Sequence, residues 1–139
     1  MILIHGQYQT IIANYGKSSG GGLGINNGGG LTGEYAINGT YKTIMEKYLD
    51  INKTYLLSLT YDGNVEKLYI NKESNISKDI QVNGTITSPS YNMILGKAPI
   101  EEHCFRGKVY SVRVYNRALS ADEIHHNYLI DKARFGIEE

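Results

Sequence analysis

The 139-residue chain has no Trp, two Phe, two Pro and a single Cys. One cysteine, Cys104, excludes an internal disulfide framework and a cysteine-rich zinc module. Net charge is missing as well, because 14 Lys plus Arg balance 14 Asp plus Glu. A neutral chain has no long-range field to gather phosphates, which argues against nucleic acid and against docking on an anionic membrane. No apolar run approaches the roughly 20 residues of a membrane-spanning helix, so no membrane insertion is expected. The opening Met1-Ile2-Leu3-Ile4 is too short for a signal-peptide core and ends at His5-Gly6, so no signal peptide is expected in this chain.

What the chain does have is Ile, Asn, Tyr, Lys and Gly. Seventeen Ile, 12 Asn, 12 Tyr and 10 Lys, all with A/T-rich codons, hint at a low-GC bacterium or one of its phages. Ile and Tyr favour strands while Asn and Gly favour turns, so many short strands are expected rather than a helical bundle. Seven of the 13 residues from Ser18 to Gly30 are Gly; Leu23 and Ile25 between them mark a short strand with a turn on each side. Further strands are expected at Tyr8 to Tyr15, Gly33 to Ile37, Thr40 to Met45, Asp79 to Val82 and Tyr91 to Gly96.

The strongest pattern is Thr54 to Tyr61, where Tyr55, Leu57, Leu59 and Tyr61 alternate with Thr54, Ser58 and Thr60 as one buried face requires. Asp62-Gly63 then turns the chain into a return strand, Glu66 to Asn71, with Leu68 and Ile70 inward. A strand is also expected from Phe105 to Tyr115. A bulge at Tyr110-Ser111 would bring Val109, Val112 and Val114 inside together. Ser120 followed by Glu123 is a capping box, Ile124 and Tyr128 share a helical face, and Gly136 stops the helix, giving about three turns.

Motifs for chemistry are weak. Gly16-Lys17-Ser18 resembles the end of a phosphate loop, but Ile11 stands where its first glycine belongs, so a plain turn is expected. Glu101-Glu102-His103-Cys104 alternates in direction along an extended chain, and His125-His126 lie about 100° apart on a helix, so neither gathers metal ligands. No pair of carboxyls sits one residue apart on an expected strand, so no catalytic residue, no metal and no cofactor is assigned and enzyme activity is not expected. Four Asn-x-Ser/Thr sequences occur, at Asn38, Asn52, Asn75 and Asn83; glycosylation is not expected, and Asn38-Gly39-Thr40 and Asn83-Gly84-Thr85 read as turns. Tyrosine is the residue in surplus. Tyr35, Tyr41, Tyr48, Tyr91 and Tyr110 are the candidate ligand-binding residues on exposed faces or loops, because tyrosine rings stack on sugars while their hydroxyls reach sugar hydroxyls.

Ser58-Leu59-Thr60-Tyr61-Asp62-Gly63, with Leu68-Tyr69-Ile70-Asn71, resembles the hairpin of laminin G-like jelly rolls in the concanavalin A-like lectin/glucanase superfamily. Ile94-Leu95-Gly96-Lys97, then Phe105-Arg106-Gly107-Lys108-Val109 and Val112-Arg113-Val114-Tyr115-Asn116-Arg117-Ala118-Leu119-Ser120 with Glu123-Ile124 and Tyr128, resembles that family's closing strand and helix. Tyr55 stands where the family usually has Trp, and Asn71-Lys72 replaces its usual Asn-Gly. The resemblance implies an all-β, two-sheet antiparallel jelly-roll sandwich (concanavalin A-like) with one short C-terminal α-helix. One domain over residues 1–139 is expected, its front strands short or missing, with Met1 to Ile4 supplying a stunted strand or leaving a sheet edge open. The expected function is non-enzymatic glycan recognition or adhesion on a bacterial surface or phage particle. The ligand is expected to be a neutral sugar surface, bound with little salt dependence. The alternative is a structural virion or cell-surface protein that uses the jelly roll for protein–protein assembly. An open edge implies a homo-oligomer or a larger assembly.

Overall fold

The computed structural model describes residues 8–50, 52–71 and 80–138. The stunted strand expected at Met1 to Ile4 and the sequon at Asn75 lie outside the described residues. Eight strands and one helix follow in order: β1 (Gln9–Ala13), β2 (Gly21–Ile25), β3 (Gly30–Ile37), β4 (Thr40–Tyr48), β5 (Leu57–Tyr61), β6 (Val65–Ile70), β7 (Ile80–Gln81), β8 (Ile94–Leu95) and α1 (Ala121–Phe135). The strands form two antiparallel sheets, β4-β3-β2-β1-β8 and β5-β6-β7, which pack as a jelly-roll sandwich.

Alternation in each strand decides which face meets the other sheet. Ile25, Leu31 and Ile44 from the larger sheet and Leu68 and Ile70 from the smaller form the central cluster, with Leu23, Tyr55, Leu57 and Leu59 packed against it. The sheets come closest at Gly33, where a Cβ would lie 2.7 Å from Cδ1 of Leu59. Glu66 shares its face of β6 with Leu68 and Ile70, so it too points inward; it is 0% exposed, and neither carboxyl oxygen has a hydrogen-bond partner among the described residues.

The turns behave as their sequences require. Asn38 at positive φ makes the two-residue β3–β4 turn, and its side chain also clamps the backbone of Asn83 and Thr85, so both Asn-Gly sequons hold structure. Oδ1 of Asp62 accepts from the backbone N–H of Asn64 and Val65 at 2.8 and 2.7 Å in the β5–β6 turn. Gly16 and Ser19 bridge across a tight turn where the phosphate-loop-like sequence stands.

The strand expected from Phe105 to Tyr115 does not form. Among the described residues, segment 105–119 joins no sheet, and Val109, Val112 and Val114 are 39%, 47% and 69% exposed instead of inside. Contacts with α1 replace a ladder: the Arg113 guanidinium donates to both oxygens of Asp131 at 2.6 and 2.8 Å, Arg117 grips Glu123 at 2.7 and 2.8 Å, and Tyr110 stacks on Phe135 at 5.4 Å. The register shifts lie not at Tyr110-Ser111 but between Thr10 and Ile12 in the β1–β2 pair and between Gly30 and Thr32 in the β3–β4 pair. The helix has 15 residues, about four turns rather than three. Its ends match the sequence: Ser120 and Glu123 cap each other's backbone N–H, Gly136 ends it at φ 65°, and Ile124 and Tyr128 are buried on one face.

Candidate functional site

The outer face of the five-stranded sheet carries the site. Gly22 and Gly24 alternate with Leu23 and Ile25, so one side of β2 feeds the core and the other is bare backbone. Tyr8 lies on that bare floor: a Cβ on Gly24 would sit 2.7 Å from Cε1 of Tyr8. The register places Thr32 opposite Gly24 and Glu34 opposite Gly22, both on the outer face. Opposite Ala36 and Glu34 on β4 stand Tyr41 and Thr43.

Loop 96–104 forms the opposite wall. It is fixed at both ends, because the Gly96 N–H donates to the Ile11 carbonyl, the Thr10 N–H to the His103 carbonyl and the Phe105 N–H to the Gly96 carbonyl, at 2.6, 3.0 and 2.8 Å. Ala98 packs with Ala13 and Tyr15 on the same outer face, with Tyr41 against them. The loop thereby holds Ile100, Glu101 and His103 over the sheet, and a pocket of about 230 Å³ opens between Tyr8, Tyr15, Glu34, Tyr41 and these residues.

The pocket offers rings and carboxylates. Tyr15 and Tyr41 meet edge to face at 6.4 Å, and Tyr8 and His103 lie 5.4 Å apart. The tyrosine hydroxyls are engaged within the protein. Tyr8 shares a hydrogen bond with Thr32, Tyr15 shares one with Thr10 at 3.0 Å, and Tyr41 donates to the carbonyls of Gly16 and of Ser19, the latter at 3.0 Å. Burial pushes Tyr8 up to about 12 and raises Tyr15 and Tyr41, so all three remain neutral phenols at physiological pH. Burial also raises Glu34 above the usual carboxylate range, the bond from the Thr43 hydroxyl at 3.1 Å opposes this, and the charge of Glu101 adds to the rise. Nδ1 of His103 lies 2.8 Å from Oε2 of Glu101, within ion-pair range but off the hydrogen-bond direction.

Of the five tyrosines singled out from the sequence, Tyr41 lines this pocket. Tyr91 is at its border, its ring 2.8 Å from where a Cβ on Gly16 would stand. Tyr48 is exposed at the β4 edge and Tyr110 lies on Phe135 at the C-terminal helix. Tyr35 corrects the expectation of an exposed face. It shares its face of β3 with Leu31, Gly33 and Ile37, so it turns inward, 6.1 Å from Tyr61, and donates to the Leu59 carbonyl at 3.4 Å. Tyr8, Tyr15, Glu34, Glu101 and His103 were not singled out as a site. The available signal was the alternation of Gly22 and Gly24 with Leu23 and Ile25, which predicts a bare sheet face for a ring to lie on.

A two-sheet jelly roll with an aromatic, acidic hollow on one outer sheet face defines the class of protein. The chain belongs to the Laminin_G_3 family of the concanavalin A-like lectin/glucanase superfamily, whose family model matches residues 4–125. The chain is also similar to a crystal structure of part of an S-layer domain-containing protein from Clostridium thermocellum, at 22% identity and a TM-score of 0.46, covering 92% of this chain and 66% of that one. No curated protein matched the chain.

Proposed function

We propose that this domain is a non-enzymatic glycan-recognition or adhesion module, working on a bacterial surface or phage particle. The observation that carries the reading is the pocket walled by Tyr8, Tyr15 and Tyr41. Drug-sized ligands occupy about 300–1,000 Å³, so about 230 Å³ suits one sugar unit of a longer chain. Tyrosine rings stack on the apolar face of a sugar, and the carboxylates accept from its hydroxyls. The non-catalytic part of the reading rests on the origin of the carboxyls: Glu34 comes from a sheet strand and Glu101 from a loop, not from a paired motif on one strand.

A glycan array followed by titration of any hit tests the reading. Tyr41→Ala is expected to weaken the hit about tenfold, the share of one aromatic wall. Tyr41→Phe, which keeps the ring, is expected to bind nearly as well as the parent. Turnover of a polysaccharide that disappears on changing Glu34 or Glu101 would overturn the non-enzymatic reading.

A second reading is assembly between copies of this chain, favoured by the exposed row Val109, Val112, Val114 and Tyr115 on a segment that joins no sheet among the described residues. Light scattering over a concentration series is expected to show mass rising with concentration if that row pairs with a second copy. A strict monomer would remove this reading.

A further inference from the structure

We infer that the sugar this pocket takes carries a free, positively charged amino group, so that the ligand is an amino sugar unit rather than a neutral one. The inference rests on the glycan reading above and names its substrate class. Three observations carry it together. Among the described residues, the lining contains two carboxylates, Glu34 and Glu101, and neither Lys nor Arg. Its aromatic walls have their hydroxyls turned into the protein, to Thr32, to Thr10 and to the carbonyls of Gly16 and Ser19. What faces the ligand is therefore ring rather than phenolic oxygen, and the ring face attracts a cation through its quadrupole.

The third observation concerns counter-charge. Glu101 has His103 beside it at 2.8 Å. Glu34 is half-buried, its hydrogen bond from the described residues comes from the neutral Thr43 hydroxyl, and the charge that acts on it is that of Glu101, of the same sign. A carboxylate taken partly out of water, with no Lys or Arg beside it among the described residues, is an electrostatic deficit that a ligand ammonium removes. The ammonium would donate charge-assisted hydrogen bonds to Glu34 and Glu101 while its sugar ring lies against Tyr41 or Tyr15. An N-acetylated sugar has no such charge, and its acetyl group adds bulk where the pocket is small.

The test is calorimetric titration at about pH 6 with glucosamine, N-acetylglucosamine and glucose oligomers of equal length. The glucosamine oligomer is expected to bind the unmodified protein at least about tenfold more tightly than either neutral oligomer, and the margin is expected to shrink as salt is added. Glu34→Gln keeps the shape of the side chain and is expected to bring the glucosamine oligomer down to the level of the neutral ones. Equal binding of the three oligomers, or a margin that survives Glu34→Gln, would overturn the inference and leave the glycan reading in place. Failure of every glycan, on the array as well as here, would overturn both. The comparison among ligands on the unmodified protein needs no variant to fold.

Discussion

Replacing Glu66 by Gln is expected to raise stability at pH 8 by up to about 5 kcal/mol and to change it little below pH 4.5. Glu66 is fully enclosed between the sheets, and its oxygens have no hydrogen-bond partner among the described residues. Burial pushes its carboxyl from 4.5 up to about 8, and the charge of Glu34 adds to the rise. A folded-state pKa above the unfolded one means that the unfolded chain releases this proton first. Between pH 4.5 and about 8 the unfolded state therefore gains stability relative to the fold, and above about 8 the penalty is constant. Each pKa unit is worth about 1.4 kcal/mol, which sets the size of the effect. Groups held below their usual range act in the opposite sense: the Arg113 guanidinium lowers Asp131, and Arg117 pulls Glu123 down to about 2, so their contributions are lost only in acid. The parent protein is thus expected to be most stable near pH 5, and Glu66→Gln to stay stable through neutral pH. Urea unfolding at pH 5 and pH 8 checks this. A parent midpoint that does not fall between those two values would show that Glu66 is not enclosed as described.

The second large effect lies at the C-terminal helix. Asp131→Ala is expected to cost about 3 kcal/mol, because it leaves the Arg113 guanidinium half-buried without its bidentate partner. The Asp131 side chain is only 3% exposed and accepts at 2.6 and 2.8 Å, unlike the open Arg117–Glu123 pair, whose loss is expected to matter far less. Because Arg113 lies on segment 105–119, which no ladder holds, the same change is expected to loosen that segment from α1. The stabilisation is present above pH 3.8 and is lost as pH falls below it, since Arg113 holds the folded-state pKa of Asp131 down. Denaturant unfolding of Asp131→Ala, Arg113→Ala and the double variant measures the coupling. A coupling below about 1 kcal/mol would place the pair with ordinary surface bridges.

Much of the sandwich was readable in the sequence because its signals are local. The alternation up to Tyr61, the Asp62-Gly63 turn and the Ser120–Glu123 box each need only a few neighbouring residues; the turn and the box stand where expected, and the strand starts at Leu57 rather than at Thr54. Segment 105–119 was misread for the opposite reason. Val112 and Val114 alternate as a strand would, but a strand also needs a partner, and Arg113, Tyr110 and Tyr115 are engaged by Asp131, Phe135 and Asn127 of the helix instead. Glu66 was within reach: the alternation that turned Leu68 and Ile70 inward also turns Glu66 inward. The pocket was not, because it joins β1, β3, β4 and a loop more than 50 residues further along the chain, and only the sheet register brings them together. The expectation of a neutral ligand rests on the zero net charge of the whole chain and on the tyrosine surplus, and neither carries information on where Glu34 and Glu101 stand in the fold.

The central claim is that the hollow walled by Tyr8, Tyr15 and Tyr41 is where a glycan binds. NMR of protein labelled at its tyrosine rings, titrated with an array hit, tests it most directly. Ring signals of Tyr8, Tyr15 and Tyr41 are expected to shift together and to saturate at one affinity, with those of Tyr48 and Tyr110 unmoved. Saturable shifts confined to Tyr48 or Tyr110, with Tyr8, Tyr15 and Tyr41 unchanged, would place the binding surface elsewhere and contradict the account.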